Sequence, residues 1–254
     1  MSLLSDWNRR RLDRRRAAQF AAVRDDASLR LDMAALRRAR VVVIGPADTA
    51  ADELGALDPD GHDFVVRINN GLAMAQAAQG ALGRRTDMLV HNLKESGARS
   101  AGRLEPEIMR AQGLSTVLFP HAGPGRITSD LPRARRRLDS LGIALRMPDP
   151  DLYAQWCAAL APAFPTSGAV AILTMLAARP AGLSLAGFTF FRTGYAPGYN
   201  AAGAGAQGAR DWVARTGVHD PEAERQLVAR ELDLARAEGV EIALGEGVAA
   251  ALEA

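Results

Sequence analysis

From residue 41 onward the chain is a succession of short apolar runs. Val41, Val42, Val43 and Ile44 are continuous and closed by Gly45, the pattern of a strand buried on both faces of a parallel sheet. Further runs follow at 64–68, 88–90, 116–119, 143–145 and 183–186. Ala-rich stretches of helical character separate several of them, at 71–82, 105–112, 130–141 and 169–178. Strands alternating with helices predict βαβ units, and so an α/β fold: a doubly wound, mostly parallel, Rossmann-like sheet flanked by helices. Ligands of such sheets bind beyond the carboxyl ends of the strands. The loops after Ile44, Ile68, Val90, Phe119, Phe164 and Phe188 are therefore the places for a site.

Two regions break this rhythm. Residues 5–39 read as one helix, with apolar positions such as Leu12, Phe20, Leu29 and Leu36 interrupted by charge. This divides the chain into a basic helical segment, 1–39, and a single domain, 40–254. The stretch 192–210 holds five Gly and one Pro without periodicity. It predicts a long mobile loop, either a lid or acceptor-binding element or a surface loop without a role.

Composition narrows the function classes. Of 254 residues, 31 are basic and 29 acidic, a net charge of +2, so a strongly basic nucleic-acid binder is excluded and no nucleic-acid partner is expected. The positive charge is nevertheless uneven: Arg9, Arg10, Arg11, Arg14, Arg15 and Arg16 form one cluster, Arg133, Arg135, Arg136 and Arg137 another. Cys157 is the sole cysteine, so no internal disulfide is expected. No apolar stretch resembles a leader or a membrane span, and the expected location is the cytoplasm. The preference for Arg over Lys, with much Ala and Gly, points to a high-GC bacterial genome.

Four segments could carry chemistry. Gly45, followed by Pro46, Ala47 and Asp48, would let backbone approach a nucleotide, but it is neither a dinucleotide fingerprint nor a P-loop, and it equally makes a tight turn. Asn69 and Asn70 close an apolar run, where an amide could read a phosphate or a base edge; Asn70-Gly71 is also a turn signal. Thr166, Ser167 and Gly168 precede an apolar helix. A helix start offers hydroxyls, free N–H groups and a partial positive charge, hence an anion site, or simply a cap. Asp220 with Pro221 marks another helix start, running to about residue 237, and His219 sits just outside it. The positive helix end favours a neutral imidazole, able to act as a general base; a packing histidine is the plainer alternative. His62, His91 and His121 are scattered and show no metal spacing with Cys157, and no D-x-D element follows a strand, so no metal and no cofactor are expected.

The order of these segments resembles the eukaryotic-type sialyltransferase family. Val43-Ile44-Gly45 and Asp63-Phe64-Val65-Val66-Arg67-Ile68-Asn69 are similar to its large motif, which Gly83-Arg84-Arg85-Thr86-Asp87 would close. Pro165-Thr166-Ser167-Gly168 and Leu185-Ala186-Gly187-Phe188 resemble its small motif. His219 and Glu224 have the spacing of its very small motif, and 239–242 continue the likeness. The resemblance spans residues 40 to 245. It implies a glycosyltransferase-A-like variant of the sheet in a bacterial, membrane-span-free member, and an inverting, metal-independent transfer of an acidic sugar from a CMP donor to a glycan or glycolipid hydroxyl. His219 would be the base. Gly45, Asn69, Asn70, Thr166, Ser167 and Gly168 would bind the donor, with Glu224 and Asp48 in support. CMP-sugar is then substrate, not cofactor.

The chain also departs from the family. Pro46 replaces the asparagine after the first strand glycine, the disulfide between large and small motifs cannot form, and the short histidine–tyrosine motif has no copy. Tyr195, Tyr199 and Trp212 are the aromatic residues of that region. The sugar stays open between sialic acid and Kdo, with an acceptor in surface polysaccharide, capsule or lipopolysaccharide. The Arg-rich segment would touch the inner membrane peripherally, or be a solvated face. Two other readings remain: a catalytically degenerate binder of CMP or a nucleotide sugar on the same fold, and a Rossmann oxidoreductase, which the absent glycine fingerprint disfavours.

Overall fold

The computed structural model describes residues 3–97, 100–127, 131–200 and 205–253. Among the described residues seven strands, all parallel, form one sheet in the order β5-β4-β3-β2-β1-β6-β7. They are β1 (Arg40–Ile44), β2 (Phe64–Ile68), β3 (Met88–Val90), β4 (Thr116–Leu118), β5 (Ala144–Arg146), β6 (Gly182–Ala186) and β7 (Glu241–Leu244). The α/β, doubly wound, Rossmann-like class is what the apolar runs predict.

The central strand shows why. Val41, Val42 and Val43 are all fully buried, because helices cover both faces of the sheet. Val41 and Val43 join a core with α8 (Ser167–Ala178), whereas Val42 and Ile44 pack with α3 (Ala50–Leu57) and α4 (Gly71–Ala77). On α8, Val170, Ile172, Leu173, Met175 and Leu176 are at most 1% exposed. Burying five such side chains contributes on the order of 10 kcal/mol before conformational entropy is counted.

From β1 the sheet grows outward through β2, β3, β4 and β5. The chain then returns through α7 (Pro150–Ala159) and α8 to place β6 on the other side of β1. The direction of winding reverses between β1 and β6, and the crevice beyond their carboxyl ends is the topological switch point.

Arg67 is the exception within an apolar strand. It is fully buried on β2 and donates from Nε to Thr86 Oγ1 at 2.9 Å, and from Nη2 to the carbonyls of Leu82, Gly83 and Arg85. Burial pulls its basicity down to about 10. Thr86 in turn donates to Gln112 Oε1 at 2.7 Å. The arginine braces the turn leading into β3.

Several expectations need correction. The helix over 5–39 is broken. α1 (Leu3–Arg24) ends, a 3-10 turn covers Ala27–Leu29, and α2 (Met33–Leu36) follows. The cause is two aspartates that cap new turns: Asp26 accepts from Ser28 N, and Asp32 from Ala34 N and Ala35 N. Leu29 and Leu36 then enter the main core, Met147 N donates to Leu29 O at 2.7 Å, and Leu31 N donates to Met147 O at 3.3 Å. The stretch 192–210 is not a continuous loop, because α9 (Gly205–Thr216) starts within it. Ala206, Gln207, Ala209 and Arg210 outweigh the glycines. Residues 201–204 of that stretch lie outside the described residues, as do residue 130 and the side chains of Arg9 and Trp212. The helix over 71–82 stops at Ala77, where Gln79 and Gly80 take positive φ. Among the described residues no helix is long and apolar enough to cross a membrane.

Candidate functional site

The carboxyl ends of β1 and β6 meet through two glycines. A Cβ on Gly45 would strike the Gly187 carbonyl oxygen. Gly187, at φ +71°, would place its own Cβ 2.7 Å from the Gly45 oxygen and 2.8 Å from Ala50 Cβ. Beyond this contact opens a cleft of about 380 Å³, lined from the end of β2, the loops after β1, β2, β3, β4 and β6, the start of α8 and the approach to α10 (Pro221–Ala237).

Thr166 is the N-cap of α8. Its Oγ1 accepts from Ala169 N at 3.1 Å, leaving the amides of Ser167 and Gly168 as the orphan donors of the helix start. All three residues line the cleft. An anion placed there would meet N–H groups and the positive end of a helix whose twelve residues are almost entirely buried.

His219 arrives from 55 residues beyond Phe164, which it bonds. Phe164 N donates to Val218 O at 2.9 Å, and His219 Nδ1 lies 2.7 Å from Phe164 O. A carbonyl oxygen only accepts, so Nδ1 carries the hydrogen, and in the neutral ring the lone pair resides on Nε2. The side chain is 21% exposed and lines the cleft.

Glu224 joins the two. It lies one turn into α10, which Asp220 caps by accepting from Glu222 N and Ala223 N at 3.0 Å. Its carboxyl accepts from Thr166 N at 2.7 Å and Thr166 Oγ1 at 2.8 Å. It is 3% exposed, and burial lifts it to about 8 although the Thr166 bonds pull the other way. His219 Nδ1 is 3.9 Å from Glu224 Oε1, too far for a hydrogen bond, and its hydrogen is already committed to Phe164. Glu224 therefore supports the α8 start directly and stands beside the imidazole without a hydrogen bond to it.

Asn69 and Asn70 both reach the cleft, and neither is only a turn residue. Asn69 stands at φ +50°, with Nδ2 3.3 Å from Tyr199 Oη and a buried Oδ1 that has no partner. Asn70 donates Nδ2 to the carbonyls of Gly198 (2.8 Å) and Tyr199 (3.0 Å), fastening the segment 193–200. That segment is pinned on its other side too: Ala196 N donates to Pro46 O at 2.8 Å and Asp48 N to Gly194 O at 3.0 Å. Tyr195 and Tyr199, ring centroids 5.1 Å apart, thereby form a cleft wall, and burial pushes the Tyr199 phenol up to about 12.

Gly45 and Asp48 do not line the cleft. Gly45 serves the approach to Gly187, and Asp48 is exposed. His62 and His91 are structural. His62 bonds Asp58 O and Ser184 Oγ, while His91 receives Leu93 N–H on Nδ1 and faces Gly102 O with Nε2. Burial drops His91 to about 4.

The sequence reading missed Lys94, His121 and Arg126 on the cleft wall. They lie in the loops after β3 and β4, both flagged by position, but nothing local in the sequence distinguishes them. Phe190 and Phe191, also lining the cleft, hold φ of 49° and 63°, a strained pair at the site. Among the described residues no group of three or more His, Cys, Asp or Glu could hold a metal.

Fold and cleft thus define a parallel α/β protein with an anion-suited helix start and a histidine at the switch point. No protein-family profile and no curated protein matches the chain. Among solved structures it is similar to a mammalian sialyltransferase in complex with Gal-beta-1-3GalNAc-ortho-nitrophenol. The TM-score is 0.50 and the identity 19%, over 83% of this chain and 70% of that one. Another structure of a mammalian sialyltransferase gives 0.49 and 19%, over 82% and 70%. The first likeness shows a sialyltransferase-like fold.

Proposed function

We propose that the protein is an inverting, metal-independent glycosyltransferase that moves an acidic sugar, sialic acid or Kdo, from its CMP donor to a glycan or glycolipid hydroxyl. The observation that carries this reading is the meeting of His219 and the Thr166–Gly168 helix start in one cleft, with Glu224 bonded to the second and beside the first. The sialyltransferase-like fold supports the choice of donor.

In this reading the α8 start receives a negative group of the donor, and Asn69 reads the nucleotide. His219 Nε2 takes the proton of the acceptor hydroxyl as that oxygen attacks the anomeric carbon. The bond from that carbon to the phosphate oxygen breaks, and its electron pair leaves with CMP. Negative charge grows on the departing phosphate, where fixed amide donors stabilise it without reorganising. The base contributes about 10²–10⁴-fold. The exposed Arg10, Arg11, Arg14, Arg15 and Arg16 on α1 would set a cytoplasmic enzyme against the anionic inner membrane, near acceptors of surface-polysaccharide or lipopolysaccharide synthesis.

The test follows CMP release from CMP-sialic acid and CMP-Kdo in parallel, with EDTA and candidate acceptors present. Release from one donor, reduced about 10²–10⁴-fold by His219→Ala at nearly unchanged CMP affinity, is the expected result. CMP binding without release from either donor would favour a catalytically silent binder. Loss of CMP binding in a folded His219→Ala protein would remove the histidine from the role of base.

A further inference from the structure

The helix start of α8 accounts for one negative group of a CMP-linked acid, but such a donor carries two: a phosphodiester and a carboxylate. The loops after β3 and β4 bring a second cluster to the cleft. Lys94 is placed by a turn in which its N–H donates to Asn92 Oδ1 at 2.9 Å and its carbonyl accepts from Ala101 N at 2.7 Å. Arg126 is placed by a second turn, its N–H donating to Gly123 O at 3.0 Å, and its guanidinium lies 4.2 Å from the ring centre of Phe164. His121 stands edge-on to Phe119, with a covered Nδ1 that has no partner. Lys94 and Arg126 are both near enough to His121 that their charges, after burial itself, depress its basicity to about 3.

Among the described residues the charges of this wall are uncompensated. Several arginines elsewhere find carboxylates: Arg135 with Asp26, Arg137 with Glu95, Arg179 with Glu238, Arg225 with Glu222. Among the described residues Lys94 and Arg126 make no ion pair. The single carboxyl among the described residues that line the cleft, Glu224, is turned to Thr166 and is not fully ionised near neutrality. Two cations and a neutral imidazole on the wall of a concave cleft make a site for an anion, built from residues other than those of the helix start.

We propose that Lys94, Arg126 and His121 form a second anion subsite that takes the carboxylate of the donor sugar, while the α8 start takes the phosphate. This rests on the glycosyltransferase reading and sharpens it: the enzyme selects donors with an acid group beside the anomeric carbon. Arg126 has a second task, since the Phe164 ring beneath it belongs to the residue whose carbonyl holds His219. A carboxylate drawn to Arg126 brings the anomeric carbon to the wall on which the base is mounted.

Calorimetric titration of the whole protein without acceptor tests the assignment, using CMP, CMP-sialic acid and CMP-Kdo as probes. Lys94→Met and Arg126→Met, singly and together, keep the apolar stems and the cover over Phe164. The double variant should lose about 10–100-fold in affinity for whichever donor the wild type binds, while its CMP affinity moves less than about threefold. Retained CMP affinity also serves as the control for folding. An equal loss for CMP and donor would place the phosphate at this wall and overturn the assignment, as would no loss for either. A wild type that binds CMP but neither donor overturns the carboxylate subsite and leaves the nucleotide site standing. A wild type that does not bind CMP removes the functional reading, and the subsite with it.

Discussion

Replacing Glu224 with Gln removes a titrating group from beneath the α8 start while keeping its shape. The carboxyl is nearly inaccessible and sits at about 8, against an ordinary 4.5. A carboxyl raised in the fold contributes stability fully below its unfolded value, and that contribution is lost as pH rises through the folded value. The window therefore runs from about 4.5 to about 8. Its upper bound is roughly 5 kcal/mol, at about 1.4 kcal/mol per tenfold change in proton affinity. For a chain of this size that corresponds to as much as ~10–20 °C in melting temperature. Gln has no such dependence. Its Oε1 can accept from Thr166 N–H, and its amide can donate to Thr166 Oγ1, reversing one bond and losing neither. Melting curves of both proteins at unit steps from pH 5 to 9 isolate the effect, because every other group titrates equally in the two. The variant should gain on the wild type by several degrees toward alkaline pH. Parallel curves would refute the argument that burial holds a proton on this carboxyl.

Gly187→Ala combines a positive φ with a Cβ 2.7 Å from the Gly45 oxygen, and should cost about 2 kcal/mol or more, read as a lower urea midpoint at unchanged slope. A cost below half a kcal/mol would mean that β1 and β6 are not held as described. Arg67→Met deprives Thr86 and the carbonyls of Leu82, Gly83 and Arg85 of a buried donor, and should destabilise by about 3–5 kcal/mol in the same assay. A neutral outcome would show that water or another donor replaces the guanidinium.

Much of this fold is visible in the sequence, for identifiable reasons. Strands buried on both faces need uninterrupted apolar runs, so β1 to β4 and β6 stand out, and β5 is displaced by one residue. The edge strand β7 is the counter-example. Glu241 is exposed and the next three residues are half-buried, so no apolar run betrays it. Helix starts are legible where a cap is short and polar, as at Thr166 and Asp220. The same pattern at Asp149-Pro150 opens α7, whose Asp149 accepts from Asp151 N and Leu152 N. At the site, His219, Thr166–Gly168 and the asparagines are signalled by motif order. The wall of Lys94, His121 and Arg126 is assembled from two loops nearly thirty residues apart, and only the sheet that carries both brings them together. The 193–200 segment likewise looks unanchored until Asn70 and Pro46 are seen to grip it.

The contact between Gly45 and Gly187 is a fixed ruler between the ends of β1 and β6, on which the cleft opens. The spacing at that point is one peptide plane resting on another, with no side chain to lengthen or trim. On the proposed function, substrate choice would be retuned from the sides, through the loops after β3 and β4 and the tyrosine wall. An engineer testing that reading with a different sugar should randomise Lys94, Arg126, Tyr195 and their neighbours, and leave the two glycines alone. Libraries that spare the ruler should yield folded proteins with altered preference, whereas those that touch it should yield mainly unfolded chains.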